Sequence, residues 1–569
     1  ISMLKLKPGY LTPVRCLHLF QSKKLTKDVL PKITTHDLLQ ELGFIKQSQS
    51  GLAHWLPLGL RSLNKITGII RSRMNGAGAH ELSLSSLSPR SLWEATGRWQ
   101  NTELFKLKDS KSAEYCLVAT CEEEITSLMN VYVNSYKDLP LLVYQVTRKY
   151  RDEKRPRGGL LRGREFLMKD AYSFHGNSDD AVRMFDTVNG VYEQIFKDLR
   201  IPFASAWADS GNIGGDLSKE YHYFHESGED ILMGCNSCGQ VSNVEKCSSF
   251  PEVDGTHDGN VSVRYALNKT RDTLVCLYFP AHRELNWNLV LDAMDHDVDT
   301  TLKDIDNDKI MEIFSEQNED LMFANIIRVM DVRLNSRSNF PDFPLSQYLK
   351  SNFSQLNEYS IVNATEGEVC GSCEEGKLVA SKSIEVGHTF YLGKKYSELL
   401  NAKYVTKENK EEVMEMGCYG IGVSRLVGAI AQVTRDELGL RWPSNVAPYK
   451  MSVCGVQADE KTKEICELLK NDYQDDLWVD TRDKVGLGRK IAQSHAIGIP
   501  LCIIAGKRHW PLVEIEARGK RWGPHNTWED AHKTHGEEYS WSVETADGSV
   551  EKHLVHKDYV NKVVSILLR

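Results

Sequence analysis

Residues 148–170 read RKYRDEKRPRGGLLRGREFLMKD, and this stretch says more than any other about the chain. Eight Lys and Arg side chains fall within its first seventeen positions, and apolar-alternating segments flank a tip rich in Pro, Gly and Arg. That pattern predicts two antiparallel strands joined by a long basic loop. Arg151 and Glu153 share one face of a strand, so they can bind a phosphate together with a purine or a metal. A solvated, charged hairpin explains the same residues equally well.

A second stretch favours the ligand-binding interpretation of the hairpin. Residues 417–428 read GCYGIGVSRLVG, in which three glycines run into a helical-looking segment with Arg425 in its first turn. Glycines permit close backbone approach, and an Arg near a helix start suits a polyanionic ligand. The stretch alone is a weak signal, because glycine-rich turns before helices are common.

The two stretches together, in this order, resemble motifs 2 and 3 of class II aminoacyl-tRNA synthetases. Four further stretches narrow the resemblance to the bacterial-type prolyl-tRNA synthetases: LVATCEEEITSLM (117–129), GREFLMKDAYSFH (163–175), IEVGHTFYLGKKYS (384–397) and RWPSNVAPY (441–449). The resemblance covers roughly residues 29–247 and 367–510. It implies a multidomain fold that mixes α+β and α/β parts. The catalytic domain would be built on an antiparallel sheet, with an inserted domain and a C-terminal α/β anticodon-binding domain.

Length and composition agree with several globular domains. At 569 residues the chain exceeds the usual limit of about 250–300 residues for a single core. No apolar run reaches the roughly 18 residues that a membrane span needs. The net charge of −8 means that nucleic-acid binding must rest on local basic patches. Thirteen cysteines with only two closely spaced pairs indicate a reducing compartment, with thiols or a metal.

The composition of the first residues predicts targeting to mitochondria. Residues 1–27 carry six Lys and Arg side chains and no acid, and Asp28 is the first carboxylate. This composition is typical of a presequence for import into the mitochondrial matrix, although a short basic disordered terminus would look similar. The predicted domains are then a presequence (1–28), the first part of the catalytic domain (29–247), an inserted domain (248–366), the second part of the catalytic domain (367–448) and the anticodon-binding domain (449–569).

The predicted insertion differs in amino-acid composition from its surroundings. Its stretch DAMDHDVDTTLKDIDNDK is acidic, and the stretch from residue 338 is polar and aromatic. Its beginning resembles the editing insertion of the bacterial family, which hydrolyses mischarged alanyl-tRNA. It is shorter than usual and lacks the G-x-x-x-P loop of that domain. We therefore expect weak or absent editing.

The resemblance assigns several residues to the binding of the substrate ATP, which would enter together with Mg²⁺. It implies that Arg151 bridges the amino-acid carboxylate and the α-phosphate and that Glu153 reads the adenine amino group. Phe166 and Arg425 would sandwich the purine, and Arg425 would act with Arg151 in catalysis. Glu385 would lie near the phosphates and help to hold Mg²⁺. Taken alone, Phe166 would be interpreted as core packing.

The resemblance also implies a pocket for proline. Thr120 and Glu122 would bind the imino nitrogen, while His388, Phe390 and Cys418 would line the ring site with Asp170 in support. This sequence has Cys121 where the family usually has His between the Thr and the Glu.

Surfaces for tRNA(Pro) and for a second subunit follow from the same resemblance. Arg155 and Arg157 in the hairpin tip suit the acceptor end, because phosphates dominate such affinity. Arg482, Lys484, Arg489 and Lys490 form the best basic patch of the C-terminal domain. Residues 80–88, HELSLSSLS, alternate as a strand and align with motif 1, the dimer contact of the family, with Ser85 at the position of its proline. A homodimer is expected.

Two close cysteine pairs, Cys235 with Cys238 and Cys370 with Cys373, have the spacing of zinc knuckles. The gap between the pairs is too long for a simple zinc ribbon. It is explicable if the insertion loops out between them and a structural zinc holds its base. Reduced thiols without metal are the alternative.

The resemblance, together with the basic N-terminal residues, therefore implies a proline–tRNA ligase of mitochondrial translation. A synthetase-like paralogue that binds RNA or a partner without charging tRNA remains the alternative, and the altered motif 1 and short insertion favour it slightly. A synthetase for another amino acid agrees poorly with GHTFYLG and GCYGIG.

Overall fold

The computed structural model describes residues 28–211, 213–215, 217–255, 257, 259–318, 321–345, 347–455, 459–480, 482, 484–506, 509–519, 527–546 and 550–569. The predicted presequence lies outside the described residues, apart from its last position. The described chain forms two compact units. The first holds the residues up to 203 together with 214–215 and 386–569, and the second holds most of 204–385. Among the described residues, no helix is both long and apolar enough to cross a bilayer.

The N-terminal part of the first unit combines helices with the first strands of an antiparallel sheet. Its elements are α1 (Thr35–Glu41), β1 (Ile45–Gln49), β2 (Leu52–Trp55), α2 (Pro57–Gly76), β3 (His80–Glu81), β4 (Leu87–Pro89), α3 (Arg90–Ala95), β5 (Phe105–Lys108), β6 (Glu114–Leu117), α4 (Glu122–Tyr132), β7 (Leu141–Tyr150), β8 (Glu165–His175) and α5 (Ser178–Asp198). The single strand predicted over 80–88 is wrong, because two short strands, β3 and β4, occupy its ends. They pair with different partners, β7 and β6.

The second unit contains the segment predicted as an insertion. Its elements are β9 (Ala204–Trp207), β10 (Leu217–Phe224), β11 (Asp230–Cys235), β12 (Val241–Asn243), β13 (Ser249–Phe250), β14 (Val261–Leu267), β15 (Thr273–Pro280), α6 (Trp287–Ala293), α7 (Asn307–Gln317), β16 (Asn325–Asp331), β17 (Phe353–Tyr359), β18 (Val369–Cys370) and β19 (Leu378–Gly393). Strands β14 to β17 form a four-stranded sheet in sequence order. Separate apolar clusters cover its two faces, one including α7 and one including α6. The domain limits 248–366 stay a prediction.

The rest of the first unit completes the catalytic sheet and adds a C-terminal domain. Its elements are α8 (Lys395–Leu399), β20 (Lys403–Val405), β21 (Glu411–Val413), β22 (Glu415–Ile421), α9 (Val423–Thr434), β23 (Met451–Cys454), α10 (Glu460–Tyr473), β24 (Leu477–Asp480), α11 (Leu487–Ile497), β25 (Leu501–Ile504), β26 (Leu512–Ala517), α12 (Thr527–His535), β27 (Ser542–Ala546), β28 (Val550–His556) and α13 (Val560–Leu567). The C-terminal sheet has the order β24-β23-β25-β26-β28-β27.

The catalytic sheet of the first unit has the order β3-β7-β8-β22-β19, with β19 contributing residues from 387 onward. One face packs against α5, where the Lys169 ammonium donates to the Tyr192 hydroxyl at 2.8 Å and Thr389 donates to Asn189 at 2.8 Å. Because successive side chains of a strand point to opposite faces, the alternate residues of β8, β22 and β19 project away from α5. Those alternate residues form the candidate site.

Candidate active site

Strand register places several predicted pocket residues on one face of the sheet. Phe390 lies opposite Cys418, which lies opposite Tyr172, which lies opposite Val143. Side chains directly across antiparallel strands point to the same side and lie close together. Four strands therefore present one continuous row of side chains, and the hydrogen-bonding register alone aligns residues far apart in the sequence.

Gly420 leaves a gap beside this row. In register it lies between His388 on one strand and Asp170 on the other. A Cβ atom at Gly420 would lie 2.6 Å from the Met168 methyl carbon, so a side chain there would crowd the face. The His388 ring stacks on the Phe390 ring with 3.9 Å between centroids. Together the stacked rings and the glycine give this face an apolar surface with room beside it, which suits a small apolar ligand.

A buried carboxylate lies at the edge of the same face, at the N-terminus of α4. Glu122 has no solvent-exposed side-chain surface. Its Oε1 accepts hydrogen bonds from Thr120 Oγ1 at 2.7 Å and from Cys418 Sγ at 3.1 Å. The structure thus brings together three of the residues predicted to bind proline. An anion at this place is stabilised by the N-terminal end of the helix.

Arg98, which the sequence did not single out, supplies the counter-charge. Its Nη1 lies 3.1 Å from Glu122 Oε2 and 2.9 Å from Glu123 Oε1, and its guanidinium carbon lies 5.0 Å from the centroid of the Trp93 ring. Burial raises the pKa of Glu122, but Arg98 and the hydrogen bonds from Thr120 and Cys418 outweigh burial, and the pKa is below its ordinary value. Glu122 is therefore held as an anion.

Asp170 belongs to a network that fixes the start of α4. Its carboxylate accepts from Gln145 at 2.8 Å, from Lys149 at 2.7 Å and from the Tyr172 hydroxyl at 2.9 Å. The Tyr172 hydroxyl in turn accepts from the Cys121 backbone N–H at 2.9 Å. Since a buried and fully paired network is rigid, this chain of contacts positions Thr120 and Glu122 beside the sheet.

The basic hairpin has the two predicted strands, but β7 ends at Tyr150. Arg151 and Glu153 therefore lie in the loop beyond it, and their placement on one face of a strand was wrong. The Arg151 guanidinium carbon lies 5.3 Å from the centroid of the Phe166 ring. The Arg151 backbone N–H donates to the Arg164 carbonyl at 2.9 Å, which closes the hairpin. Arg162 Nε donates to Glu153 Oε2 at 2.6 Å. Burial raises the pKa of Glu153, but its contact with Arg162 outweighs burial, and the net shift is downward.

Helix α9 docks its first turn against this hairpin. The Leu167 backbone N–H donates to Ser424 Oγ at 2.8 Å, and Arg425 Nε donates to the Leu161 carbonyl at 2.8 Å. Phe166 and Arg425 are therefore each adjacent in sequence to the Leu167–Ser424 contact, as a shared purine site would require. Glu385 lies half-buried on β19, among the residues of the second unit.

Comparison with known proteins agrees with this geometry. A family model described as the tRNA synthetase class II core domain (G, H, P, S and T) matches residues 105–434. The chain is 53% identical to a probable mitochondrial proline–tRNA ligase of Saccharomyces cerevisiae, over 98% of this chain and 99% of that protein. The chain belongs to the prolyl-tRNA synthetases. This confirms the predicted family.

Other prolyl-tRNA synthetases extend the comparison. A proline–tRNA ligase of Candida albicans named as cytoplasmic is 45% identical over 94% of this chain and 95% of its own length. One from Aquifex aeolicus is 34% identical over 86% of this chain and 93% of its own length. A crystal structure of prolyl-tRNA synthetase from Cryptosporidium parvum, complexed with halofuginone and AMPPNP, superposes with a TM-score of 0.56 at 12% identity. It covers 94% of this chain and 78% of its own and shows likeness of fold. The multidomain fold class is thereby confirmed.

The two cysteine pairs of this prolyl-tRNA synthetase meet in the second unit. The four Sγ atoms, of Cys235, Cys238, Cys370 and Cys373, all lie within 4.8 Å of one another. A zinc tetrahedron with Zn–S bonds of about 2.3 Å has S–S edges of about 3.8 Å, and one pair here measures 3.6 Å. A Cβ atom at Gly376 would lie 2.3 Å from Cys235 Sγ, so only glycine permits this approach.

The basic patch predicted on the C-terminal domain is only partly a surface. Lys484 and Arg489 are exposed. Lys490 is buried, and its ammonium donates to the carbonyls of Gly455 at 2.9 Å and Asp480 at 3.1 Å, so its inclusion in the patch was wrong. Arg482 Nε donates to Asp480 Oδ1 at 2.9 Å, which fixes its guanidinium in place. In the hairpin tip, Arg155 and Arg157 are exposed.

Proposed function

We propose that this prolyl-tRNA synthetase activates proline with ATP and Mg²⁺ and transfers it to tRNA(Pro) in the mitochondrial matrix. In the first step the proline carboxylate attacks the α-phosphorus of ATP and pyrophosphate leaves. In the second step a ribose hydroxyl of the terminal tRNA nucleotide attacks the prolyl carbonyl and AMP leaves. The observation that carries the proposal is the buried Glu122 anion beside an apolar face, because it suits a small ring bearing a positive charge.

Different residues of the pocket would contact different parts of the proline molecule. Glu122 would pair with the secondary ammonium of proline, and Thr120 would orient that carboxylate through the bond it already makes. His388, Phe390 and Cys418 would contact the ring. Asp170 would act indirectly, through the network that positions the start of α4. Paired charges out of water are the strong contacts of such a site, and the ring contacts exclude larger side chains.

The hairpin and α9 would bind ATP. Arg151 would contact the proline carboxylate and the α-phosphate, so one cation would align both reacting groups and offset the charge that develops between them. Phe166 and Arg425 would enclose the adenine, with stacking on one side and a cation on the other. Glu153 would accept from the adenine amino group, and Glu385 would help to hold Mg²⁺ near the phosphates.

Contacts with tRNA and with a second subunit remain proposals of the same kind. The exposed Arg155 and Arg157 support acceptor-end binding, and Arg482 and Lys484 support binding of the anticodon region. The dimer proposal rests on the resemblance at motif 1. Sedimentation of the purified protein would show a mass near twice that of one chain if the proposal is correct.

A proline-dependent pyrophosphate-exchange assay tests the function. Proline should drive exchange of labelled pyrophosphate into ATP, whereas threonine, serine and histidine should not. Charging of tRNA(Pro) by the same preparation tests the second step. Absence of exchange with a folded protein would favour a non-catalytic, RNA- or partner-binding paralogue, and exchange with another amino acid would favour a different synthetase.

The N-terminal residues should determine the compartment, since one relative is named mitochondrial and another cytoplasmic. With a C-terminal fluorescent tag, the chain should enter mitochondria, and a chain lacking residues 1–27 should stay in the cytosol. Replacing Lys5, Lys7 and Arg15 with Glu keeps the length and should also block import, because basic residues of a presequence are read by the import machinery. Mitochondrial localisation of either variant would contradict the presequence.

We further propose a structural zinc on the four clustered cysteines. Thiolates at tetrahedral spacing are the preferred ligands of zinc, and the two pairs come from segments on either side of the predicted insertion. A bound ion would join these segments at the base of the insertion and stabilise the second unit. No catalytic step depends on it.

Metal analysis tests the zinc proposal. The purified protein should contain about one zinc per chain, and the Cys235→Ser/Cys373→Ser double variant should contain none and melt at a lower temperature. Cys276→Ser is the matched control, because Cys276 is buried in β15 of the same unit outside the cluster. It should keep its zinc. Four thiols that titrate freely in zinc-free wild-type protein would contradict the proposal.

Weak or absent editing stays a prediction. Alanine differs from proline by about two methylenes, and each missing methylene changes discrimination by roughly 1–3 kcal/mol, so alanine should be activated at a detectable rate. The enzyme should deacylate pre-formed alanyl-tRNA(Pro) no faster than buffer does. Deacylation well above the enzyme-free rate would show that the insertion still hydrolyses.

A further inference from the structure

Two adjacent carboxylates in the pocket share a single guanidinium nitrogen. Arg98 Nη1 lies 3.1 Å from Glu122 Oε2, and 2.9 Å and 3.2 Å from the two oxygens of Glu123. Neither Glu side chain is exposed to solvent. If both carboxylates are ionised, this buried cluster carries one uncompensated negative charge, which is costly away from water.

The surroundings of Glu123 offer little to balance that charge. The groups that face it from the neighbouring elements are Arg98, Glu122, Thr96, Cys116, Tyr396 and Lys395. Thr96 Oγ1 donates to Glu123 Oε1 at 2.9 Å. Lys395 is a further cation, but its side chain is exposed, so water screens its charge. Partial burial and the nearby Arg98 lower its pKa, and Glu122 and Glu123 oppose that shift. Burial of the Cys116 thiol and of the Tyr396 hydroxyl raises both pKa values, which keeps these groups neutral.

Counted over the buried groups Arg98, Glu122 and Glu123, the ionised cluster has one cation too few in the empty pocket and the right number when an ammonium is bound. Building on the proline-binding role proposed for Glu122, we propose that Glu123 carries a proton in the empty pocket and releases it to water when the ammonium of proline binds. Arg98 is the positioning residue of this exchange, because it contacts both carboxylates. The incoming cation replaces the proton, so the buried cluster stays neutral throughout.

The pKa values of Glu122 and Glu123 shift in opposite directions, as the proposal requires. Burial raises the pKa of Glu123 above its ordinary value, Arg98 only partly opposes it, and the neighbouring Glu122 adds to the rise. The pKa of Glu122 is lowered, as described above. A bound ammonium would lower the pKa of Glu123, so protons leave on binding at any pH between its pKa in the empty pocket and its pKa in the occupied one. Proline affinity should then rise with pH up to the empty-pocket pKa, by up to tenfold per pH unit, and level off above it.

Isothermal titration calorimetry of the full chain with proline, in two buffers of different ionisation enthalpy, measures the released proton directly. Release should approach about one proton per chain near pH 6 and fall towards zero near pH 8.5. Glu123→Gln keeps the side-chain shape and the acceptor for Arg98 but has no proton to lose. This variant should bind proline as weakly as the wild type does at a pH well below the empty-pocket pKa, because no second carboxylate compensates the ammonium. It should show no proton release and a flat pH dependence.

A second ligand keeps the test decisive if the variant folds poorly. Tetrahydrofuran-2-carboxylate has an ether oxygen in place of the ring nitrogen and carries no ammonium. With the wild-type protein it should bind more weakly than proline and release no proton. Proline binding without proton release near pH 6, or equal release in Glu123→Gln, would overturn the inference while leaving the proposed function intact. Absence of any proline binding would overturn both.

Discussion

Arg151→Ala should reduce proline-dependent pyrophosphate exchange on the order of a hundredfold or more. In the proposed reaction one guanidinium contacts both the proline carboxylate and the α-phosphate, so its removal leaves two anions facing each other without a cation. Loss of one partner from a desolvated charged pair costs about 3–5 kcal/mol, and each 1.36 kcal/mol of barrier is about tenfold in rate. The loss should appear in kcat and in the KM for ATP, because the contact forms in both the ground state and the transition state.

Arg148→Ala is the matched control for this change. Arg148 is three positions earlier in the same hairpin, is largely exposed and pairs with Glu165 on the neighbouring strand. Exposed pairs contribute about 0–1 kcal/mol, so this variant should exchange pyrophosphate within about threefold of the wild type. A folded Arg151→Ala protein with exchange in that same range would remove Arg151 from the reaction.

The long motifs predicted the catalytic sheet well because their pattern reflects local constraints. The apolar alternation around the basic tip gave the two strands β7 and β8 with the loop between them. The glycine-rich segment 417–428 gave β22 and the start of α9. In both cases the alternation of a strand and the glycines of a close approach are visible within about fifteen residues. The pocket assignments followed from resemblance, and the strand register then aligned His388, Phe390, Cys418 and Asp170 on one face.

Long-range pairing was the part that local patterns did not reveal. Arg98 lies in LWEATGRW (92–99), close after the segment that aligns with motif 1, and it contacts carboxylates 24 and 25 positions later, a pairing that the sequence analysis did not predict. One signal was available: consecutive Glu residues in an otherwise apolar segment, which can be buried only with a cation. Lys490 was misjudged for a related reason. Lys490, Ser494 and Ile497 are all buried, and their spacing is that of the inner face of a helix, which outweighs the charge of one residue.

Glu122→Gln should raise the KM for proline on the order of a hundredfold while changing the KM for ATP little. The substitution conserves shape but removes one of the two buried carboxylate charges that Arg98 contacts. With Gln at this position, Arg98 and Glu123 neutralise each other, and a bound proline would bury an unpaired cation. That penalty is about 3–5 kcal/mol.

Glu124→Gln provides the comparison, because Glu124 is in the same first turn of α4 and is half-buried. Burial raises the pKa of its carboxyl, and the side chain that hydrogen-bonds to it and opposes this shift is Ser88, on the neighbouring β4, and not Arg98. Its KM for proline should remain within about threefold of the wild type. Steady-state exchange at varied proline and at varied ATP separates the two substrates. A Glu122→Gln protein whose proline KM stays within that range would mean that the ammonium is bound elsewhere and that the buried anion serves only to hold α4 against the sheet.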